Sequence, residues 1–277
     1  VHEVFEAVLA AQRAGRGVYV LVTEVHGHTP QGAGARMFVR GDGTIVGTIG
    51  GGAVEREVVA QALALPEGGA PKKVSFKLKA ELAMCCGGSM EVYMEPVGAP
   101  PRVWLFGAGH IAQPTAALAA KVGLRVTVID ERPEWNQPER FPSAERVLGA
   151  PLVELERLGP LGPRDYVLIC THDHAVDRAL LAHALRTEAG YVGMIGSVRK
   201  VRTAQRALEL DGFDAARIQS VHAPIGLDLC AETPDEIAVS IVAELIRHRR
   251  APGSGKQTRG ATVEPMRARL GDEQTPR

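Results

Sequence analysis

The chain has 277 residues, 45% of them hydrophobic and 23% charged, which suits a globular protein long enough for two modest cores. Lysine plus arginine (32) equal aspartate plus glutamate (32), so there is no net field to hold a polyanion, and general nucleic-acid binding is not expected. No run approaches the roughly 18 apolar residues of a membrane span, and the opening Val1-His2-Glu3-Val4-Phe5-Glu6 is not a signal peptide, so no membrane association and a cytoplasmic location are expected.

The first elements read as a small α+β unit. Val4, Phe5, Val8 and Leu9 recur at helical spacing, with Gly15 as a C-cap. Val18 to Val25 is rich in β-branched residues, and the strands Arg36 to Arg40 and Thr44 to Ile49 flank Gly41-Asp42-Gly43 as a hairpin. Gly50-Gly51-Gly52 then leads from a strand into a helix over Ala53 to Leu65. Strands around Val74 to Leu78 and Met90 to Val97 enclose Cys85-Cys86-Gly87-Gly88, and the Pro96 to Pro101 stretch marks a domain boundary.

From Arg102 onward apolar strands alternate with helical stretches, the pattern of a parallel sheet covered on both faces. Val103 to Phe106, Val126 to Ile129, Tyr166 to Cys170 and Tyr191 to Ile195 are the clearest strands. Thr233-Pro234-Asp235-Glu236 is a capping box opening a last helix that carries Ile237, Ile241, Leu245 and Ile246. The expected organisation is an α+β domain over 1–97, a Rossmann-like α/β domain over 102–250 and a disordered tail over 251–277.

The dinucleotide-type fingerprint lies in this second half. Gly107-Ala108-Gly109-His110-Ile111-Ala112 follows a strand and opens a helix, with Asp130 at the end of the next strand. Gly107 permits the tight turn, Gly109 lets a phosphate approach the backbone, and Asp130 is a candidate acceptor for ribose hydroxyls. The competing reading is a turn that only packs helix on sheet. Pro114, in the first turn of this helix, does it little harm.

Thr171-His172-Asp173-His174 stands at the carboxyl edge of the sheet. His172, His174 and Asp173 are candidate acid–base groups or ligands there, against a role for Asp173 or Asp177 in capping the next helix. Ser197 opens a helix with Arg199, Lys200, Arg202 and Arg206, either a phosphate site or a solvated basic face.

In the first half, the backbone of Gly50, Gly51 and Gly52 can approach an anion, with Glu55 as a competing helix cap. Cys85 and Cys86 sit in a glycine loop where a thiolate could meet a ligand. Adjacent cysteines close into a disulfide only with strain, and no zinc spacing, Walker motif or nucleophile elbow is present.

Six segments together resemble the XdhC/CoxI family. They are Gly47 to Glu55, Met84 to Gly88, Phe106 to His110, Thr171 to His174, Gly193 to Ser197 and Pro224 to Asp228, in the family's order. The resemblance implies an accessory chaperone rather than a turnover enzyme. Such a protein binds molybdenum cofactor (molybdopterin, with or without a nucleotide), protects it during sulfuration by a cysteine desulfurase and delivers it to a xanthine dehydrogenase-type hydroxylase.

On that resemblance Cys85 and Cys86 are candidate molybdenum ligands. Gly50, Gly51, Gly52, Gly107, Gly109, His110, Asp130 and Ser197 are candidate cofactor contacts, and a homodimer is the expected assembly. Cys230 stands where a small residue such as glycine is expected in relatives. Two alternatives stay open: an NAD(P)-dependent oxidoreductase using His172 or His174, and a nucleotide-sensing regulatory module.

Overall fold

The computed structural model describes residues 1–78, 87–150 and 161–250. The expectations for Cys85, Cys86 and the 251–277 tail lie outside the described residues. The chain divides into two compact units, one ending at Pro100 and the other beginning at Pro101. Among the described residues no helix is long and apolar enough to cross a membrane.

The first unit is a five-stranded antiparallel sheet with a helix on each face. Helix α1 (His2–Ala14) precedes strands β1 (Arg16–His26), β2 (Arg36–Arg40) and β3 (Ile45–Thr48), helix α2 (Gly52–Leu63), and strands β4 (Lys72–Lys77) and β5 (Ser89–Gly98), paired in the order β3-β2-β1-β5-β4. Alternation of side chains sorts the faces. Met37 and Val39 join Val54, Val58 and Ala62 of α2 in one core, while Phe38 between them joins Val4 and Ala11 of α1 in the other. Gly15 does end α1, donating its N–H to Ala11, but in extended rather than left-handed backbone. Strand β5 runs through Pro96 to Gly98; β4 pairs β5 only as far as Met94, so the missing N–H of Pro96 costs that ladder nothing.

The second unit is a parallel sheet between two helical layers. Strands β6 (Arg102–Phe106), β7 (Arg125–Ile129), β8 (Arg146–Leu148), β9 (Asp165–Ile169) and β10 (Tyr191–Met194) pair in the order β10-β9-β6-β7-β8. Numbered within the unit by position, the sheet reverses direction of growth at its first strand, as in the doubly wound nucleotide-binding folds. His222 adds a single parallel bridge to Gly193, where a sixth strand would lie.

Helix α3 (Ala112–Lys121) and the last helix cover one face, through Ala112, Ala116, Ala119, Ile241 and Leu245. Helices α4 (His174–Leu185), α5 (Val198–Leu210) and α6 (Ala215–Gln219) cover the other, through Leu180, Leu181, Val201, Leu208 and Ile218. Each buried leucine, isoleucine or valine among these contributes about 1.5–3 kcal/mol. The last helix, α7 (Pro234–Arg250), opens on the predicted capping box: Glu236 accepts from the Thr233 N–H at 3.0 Å and the Thr233 hydroxyl accepts from the Glu236 N–H at 3.3 Å.

Candidate functional site

The strand order reverses at β6, between β7 and β9, and in open α/β sheets ligands bind outside the carboxyl ends of the strands at such a point. The loops that leave β6 and β9 meet there. Gly107 has φ +97°, and a Cβ on it would lie 2.4 Å from the carbonyl oxygen of Cys170, so only glycine lets the two loops touch. At Gly109 an added Cβ would meet no atom within 4 Å. The Gly109 carbonyl takes the N–H groups of Ala112 and Gln113, at 3.1 and 3.4 Å, which bends the chain into α3.

Asp130 clamps this loop from below. Its Oδ2 accepts from the Ala108 N–H and from Arg132 Nη2, both at 2.7 Å, and its Oδ1 from the Arg132 N–H at 3.0 Å and Arg132 Nε at 2.9 Å. Four donors meet the four acceptor positions of one carboxylate, and the residue is 1% exposed. Burial pushes the Asp130 carboxyl up, but Arg132 and the two backbone N–H groups outweigh it and hold the pKa below the ordinary value. A ribose hydroxyl would have to displace Arg132 to reach it.

Beyond Asp130 the chain folds back over the glycine loop. Arg132 and Arg140 lie over the Trp135 ring, 5.0 and 4.5 Å from its centroid, and His110 meets the same ring edge-on at 5.2 Å. Arg140 also donates to the Ala108 carbonyl at 3.2 Å. Two guanidinium groups, an indole and an imidazole therefore border the glycine loop.

At the ends of β9 and β10 most polar groups are engaged with one another. The Asp173 side chain caps α4, accepting from the Ala175 N–H at 2.7 Å and the Val176 N–H at 3.2 Å, and these bonds hold its pKa below the ordinary value. Asp177, buried, accepts from the Thr171 hydroxyl at 2.6 Å and from the Lys200 ammonium. Ser197 caps α5 by accepting from the Lys200 N–H at 3.4 Å. His172 and His174 are exposed. Burial pushes the Cys170 thiol up to about 12, so it is not a thiolate near neutral pH. Among the described residues no group of three His, Cys, Asp or Glu side chains is arranged to hold a metal.

In the first unit the loop at Gly50 has φ +131°, +72° and +64° over its three glycines. Glu55 reaches back to it, accepting from the Ile49 N–H at 3.0 Å and the Thr48 hydroxyl at 2.5 Å. Burial works against the Glu55 charge, but Thr48 and the loop N–H groups outweigh it and lower the pKa. The chain's own carboxylate thus competes for the donors an external anion would use. Added Cβ atoms would touch nothing at Gly51 or Gly52, but at Gly50 would lie 2.6 Å from Pro30 Cβ. Gly88, just past the two cysteines, packs on the same β1–β2 loop, where a Cβ would lie 2.6 Å from the His28 carbonyl oxygen. The loop after β1 therefore touches both the glycine turn at Gly50 and the end of the cysteine segment.

The second unit matches the family model of the XdhC Rossmann domain over residues 103–245, and the first matches that of the XdhC and CoxI family over residues 10–77. The chain belongs to the XdhC and CoxI family. Its relatives include the uncharacterised protein YqeB of Escherichia coli, 36% identical over 84% of this chain and 43% of that protein. A protein of Bacillus subtilis described as a probable subunit of xanthine dehydrogenase is 31% identical over 57% of this chain and 46% of that protein. The chain thus spans less than half the length of these two relatives. The molybdenum cofactor insertion chaperone PaoD of Escherichia coli is 21% identical over 85% of this chain and 84% of its own. The crystal structure of a xanthine dehydrogenase from Bacillus halodurans shares the fold, with a TM-score of 0.51 at 23% identity over 93% of this chain and 97% of that one.

Two constellations of this XdhC-family chain escape a motif reading. The Arg132–Trp135–Arg140 stack spans an irregular loop and a single 3-10 turn (Pro138–Arg140), without periodicity, and only the basic and aromatic residues following Asp130 hint at it. The other is centred on Glu244 of α7, 3% exposed. It accepts from the Tyr191 hydroxyl at 3.0 Å and the Gly226 N–H at 2.6 Å, and pairs with His222 Nδ1 at 2.8 Å. These bonds tie the family segment Pro224 to Asp228 to the last helix.

Proposed function

We propose that this XdhC-family chain is a cytoplasmic accessory protein that binds molybdenum cofactor, shields it while a cysteine desulfurase supplies its terminal sulfur, and passes it to a xanthine dehydrogenase-type hydroxylase. The observation that carries the reading is the glycine loop at the switch point: fastened by Asp130 and Arg140, and open where Gly109 faces the crevice. A loop held this firmly presents backbone donors to a phosphate without reorganising. When bound, the cofactor brings a molybdenum centre with its terminal sulfur and a pterin phosphate. Gly109 and His110 would hold the phosphate end on the turn that Gly107 permits; Cys85 or Cys86 would face the metal as thiolate. Relatives named as an insertion chaperone and as a probable part of a xanthine dehydrogenase support the assignment. A homodimer belongs to the same proposal.

Holding rather than turnover is favoured by the state of the β9 edge. Thr171, Asp173, Asp177 and Lys200 are committed to one another or to a helix cap, and Cys170 is protonated near neutral pH. A dehydrogenase needs an acid–base group aimed at its substrate, and the exposed His172 and His174 are what remain.

The test is co-expression with cofactor biosynthesis, followed by metal analysis and fluorescence of the oxidised pterin. The parent protein is expected to carry both. Gly109→Val is expected to lose both with its fold intact, and Cys85→Ala with Cys86→Ala to lose molybdenum. Substrate-dependent oxidation of NADH or NADPH that vanishes in His172→Ala or His174→Ala, without stimulation of an apo-hydroxylase by the loaded protein, would overturn the reading in favour of an oxidoreductase.

A further inference from the structure

Between α4 and α5, beside the carboxyl end of β10, lies a cavity of about 510 Å³, within the size range of small-molecule sites. No residue of the glycine loop lines it. Its walls are apolar where Met194, Ala204 and Ala207 line it, and the two alanines leave room for a flat ring.

Its rim is cationic. Arg178 on α4 and Arg199 on α5 are exposed, line the cavity, and make no ion pair among the described residues. The one acid in the lining, Asp177, is buried and neutralised by Lys200, so the two guanidinium charges stand uncompensated. Ser197, also in the lining, caps α5 through its oxygen and keeps its hydroxyl proton to donate. Two guanidinium groups and a hydroxyl at the mouth of an apolar slot match an anion with several oxygens on a ring-shaped body. The slot is far larger than inorganic phosphate alone requires.

We propose that this cavity binds a small ring-bodied phosphate monoester, with the ring against Met194, Ala204 and Ala207 and the phosphate between Arg178, Arg199 and Ser197. Such chemistry has two sources, a free nucleoside monophosphate or the pterin phosphate of the cofactor proposed above, which would then sit here instead of at the glycine loop. The site stands without the chaperone reading, because its first test needs no cofactor.

Calorimetric titration of the full chain with AMP, adenosine and inorganic phosphate is that test. AMP is expected to bind more tightly than either fragment. The double variant Arg178→Glu with Arg199→Glu, both surface positions, is expected to weaken AMP about tenfold or more. Ala207→Phe, which fills the slot and leaves every charge in place, is expected to do the same, while Gly109→Val leaves AMP binding unchanged. The second arm measures pterin in co-expressed protein. AMP binding that depends on the arginines, with pterin retained in the double variant, identifies a free nucleotide as the ligand; loss of pterin from the double variant with AMP silent in the parent identifies the cofactor phosphate. If the parent ignores AMP and the double variant keeps its pterin, or if AMP binding falls in Gly109→Val but not in the double variant, the cavity is not a phosphate site. Loss of pterin from Gly109→Val bears on the chaperone reading alone.

Discussion

At Gly107 the backbone needs φ +97° and an added Cβ would run into the Cys170 carbonyl, whereas at Gly109 no atom lies within 4 Å of that position. The two glycines of one fingerprint should therefore separate in experiment. Gly107→Ala combines left-handed strain with a backbone clash and is expected to cost about 2–4 kcal/mol in urea unfolding. Gly109→Ala is expected to stay within about 0.5 kcal/mol of the parent; equal losses at both positions would refute the distinction. Cys230 offers the converse case. It is exposed and held at φ +53°, a conformation that favours glycine, and the family resemblance implies a smaller residue there. Cys230→Gly is expected to gain about 0.5–1 kcal/mol, and a lower unfolding midpoint would show that the thiol makes a compensating contact. The spacing of Gly107, Gly109 and Asp130 is legible in the sequence, but the bonding of Asp130 is not. A fingerprint fixes where the carboxylate stands, and the neighbour that saturates it, Arg132, belongs to no motif.

Helix α7 shows what a capping box and an apolar stripe reveal and what they hide. Both ends of the box form as read, and Ile241 and Leu245 are buried. Glu244 lies three residues after Ile241 and seven after Ile237, on the same helical face, so a charge in that stripe was a readable sign of a buried partner. The partners, Tyr191 and His222, come from distant segments and could not be named from spacing. Glu244→Ala would remove a buried acceptor from the Tyr191 hydroxyl, the Gly226 N–H and His222 and is expected to cost about 3–5 kcal/mol; Glu244→Gln, which keeps an acceptor, should cost less. Equal stability of Glu244→Ala and the parent would remove the network from the fold's support.

The same network sets a pH dependence. Burial raises the Glu244 carboxyl, but His222, Gly226 and Tyr191 outweigh it and leave its folded pKa below the ordinary 4.5. His248, against Tyr166, Tyr191 and His222, is lowered from 6.5 by burial and by His222. Both folded values lie below the unfolded ones, so both contributions are present at higher pH and lost on acidification. The His248 contribution begins to fall below about pH 6.5 and the Glu244 contribution below about pH 4.5. Calorimetric melting should therefore show a Tm that drops between about pH 7 and 5, with a smaller drop in His248→Phe, which keeps the ring packing. Identical slopes for parent and variant would contradict the assignment to His248.

At the scale of the molecule, alternating strands and helices made the parallel sheet readable, and the family model matching 103–245 agrees with it. The strand order was not readable, because it depends on which edge each new strand joins. Strand β8 and the bridge at His222 are too short to leave a periodic signal. Among the described residues the hydrophobic clusters each draw on one unit: two on residues between Val4 and Val97, and two on residues between Val103 and Ile246. A unit that supplies its own core and its own sheet partners carries what it needs to fold alone. Residues 101–277 expressed separately are therefore expected to unfold cooperatively. Both tryptophans of the chain, Trp104 and Trp135, lie in this piece, so tryptophan fluorescence of the full chain reports the second unit, while far-ultraviolet circular dichroism reports both. The fluorescence midpoint in urea should agree between piece and full chain within about 0.3 M, less than 1 kcal/mol at the slopes usual for small domains. A piece that fails to fold, or a midpoint lower by about 1 M or more, would mean that the second unit draws its stability from residues before Pro101.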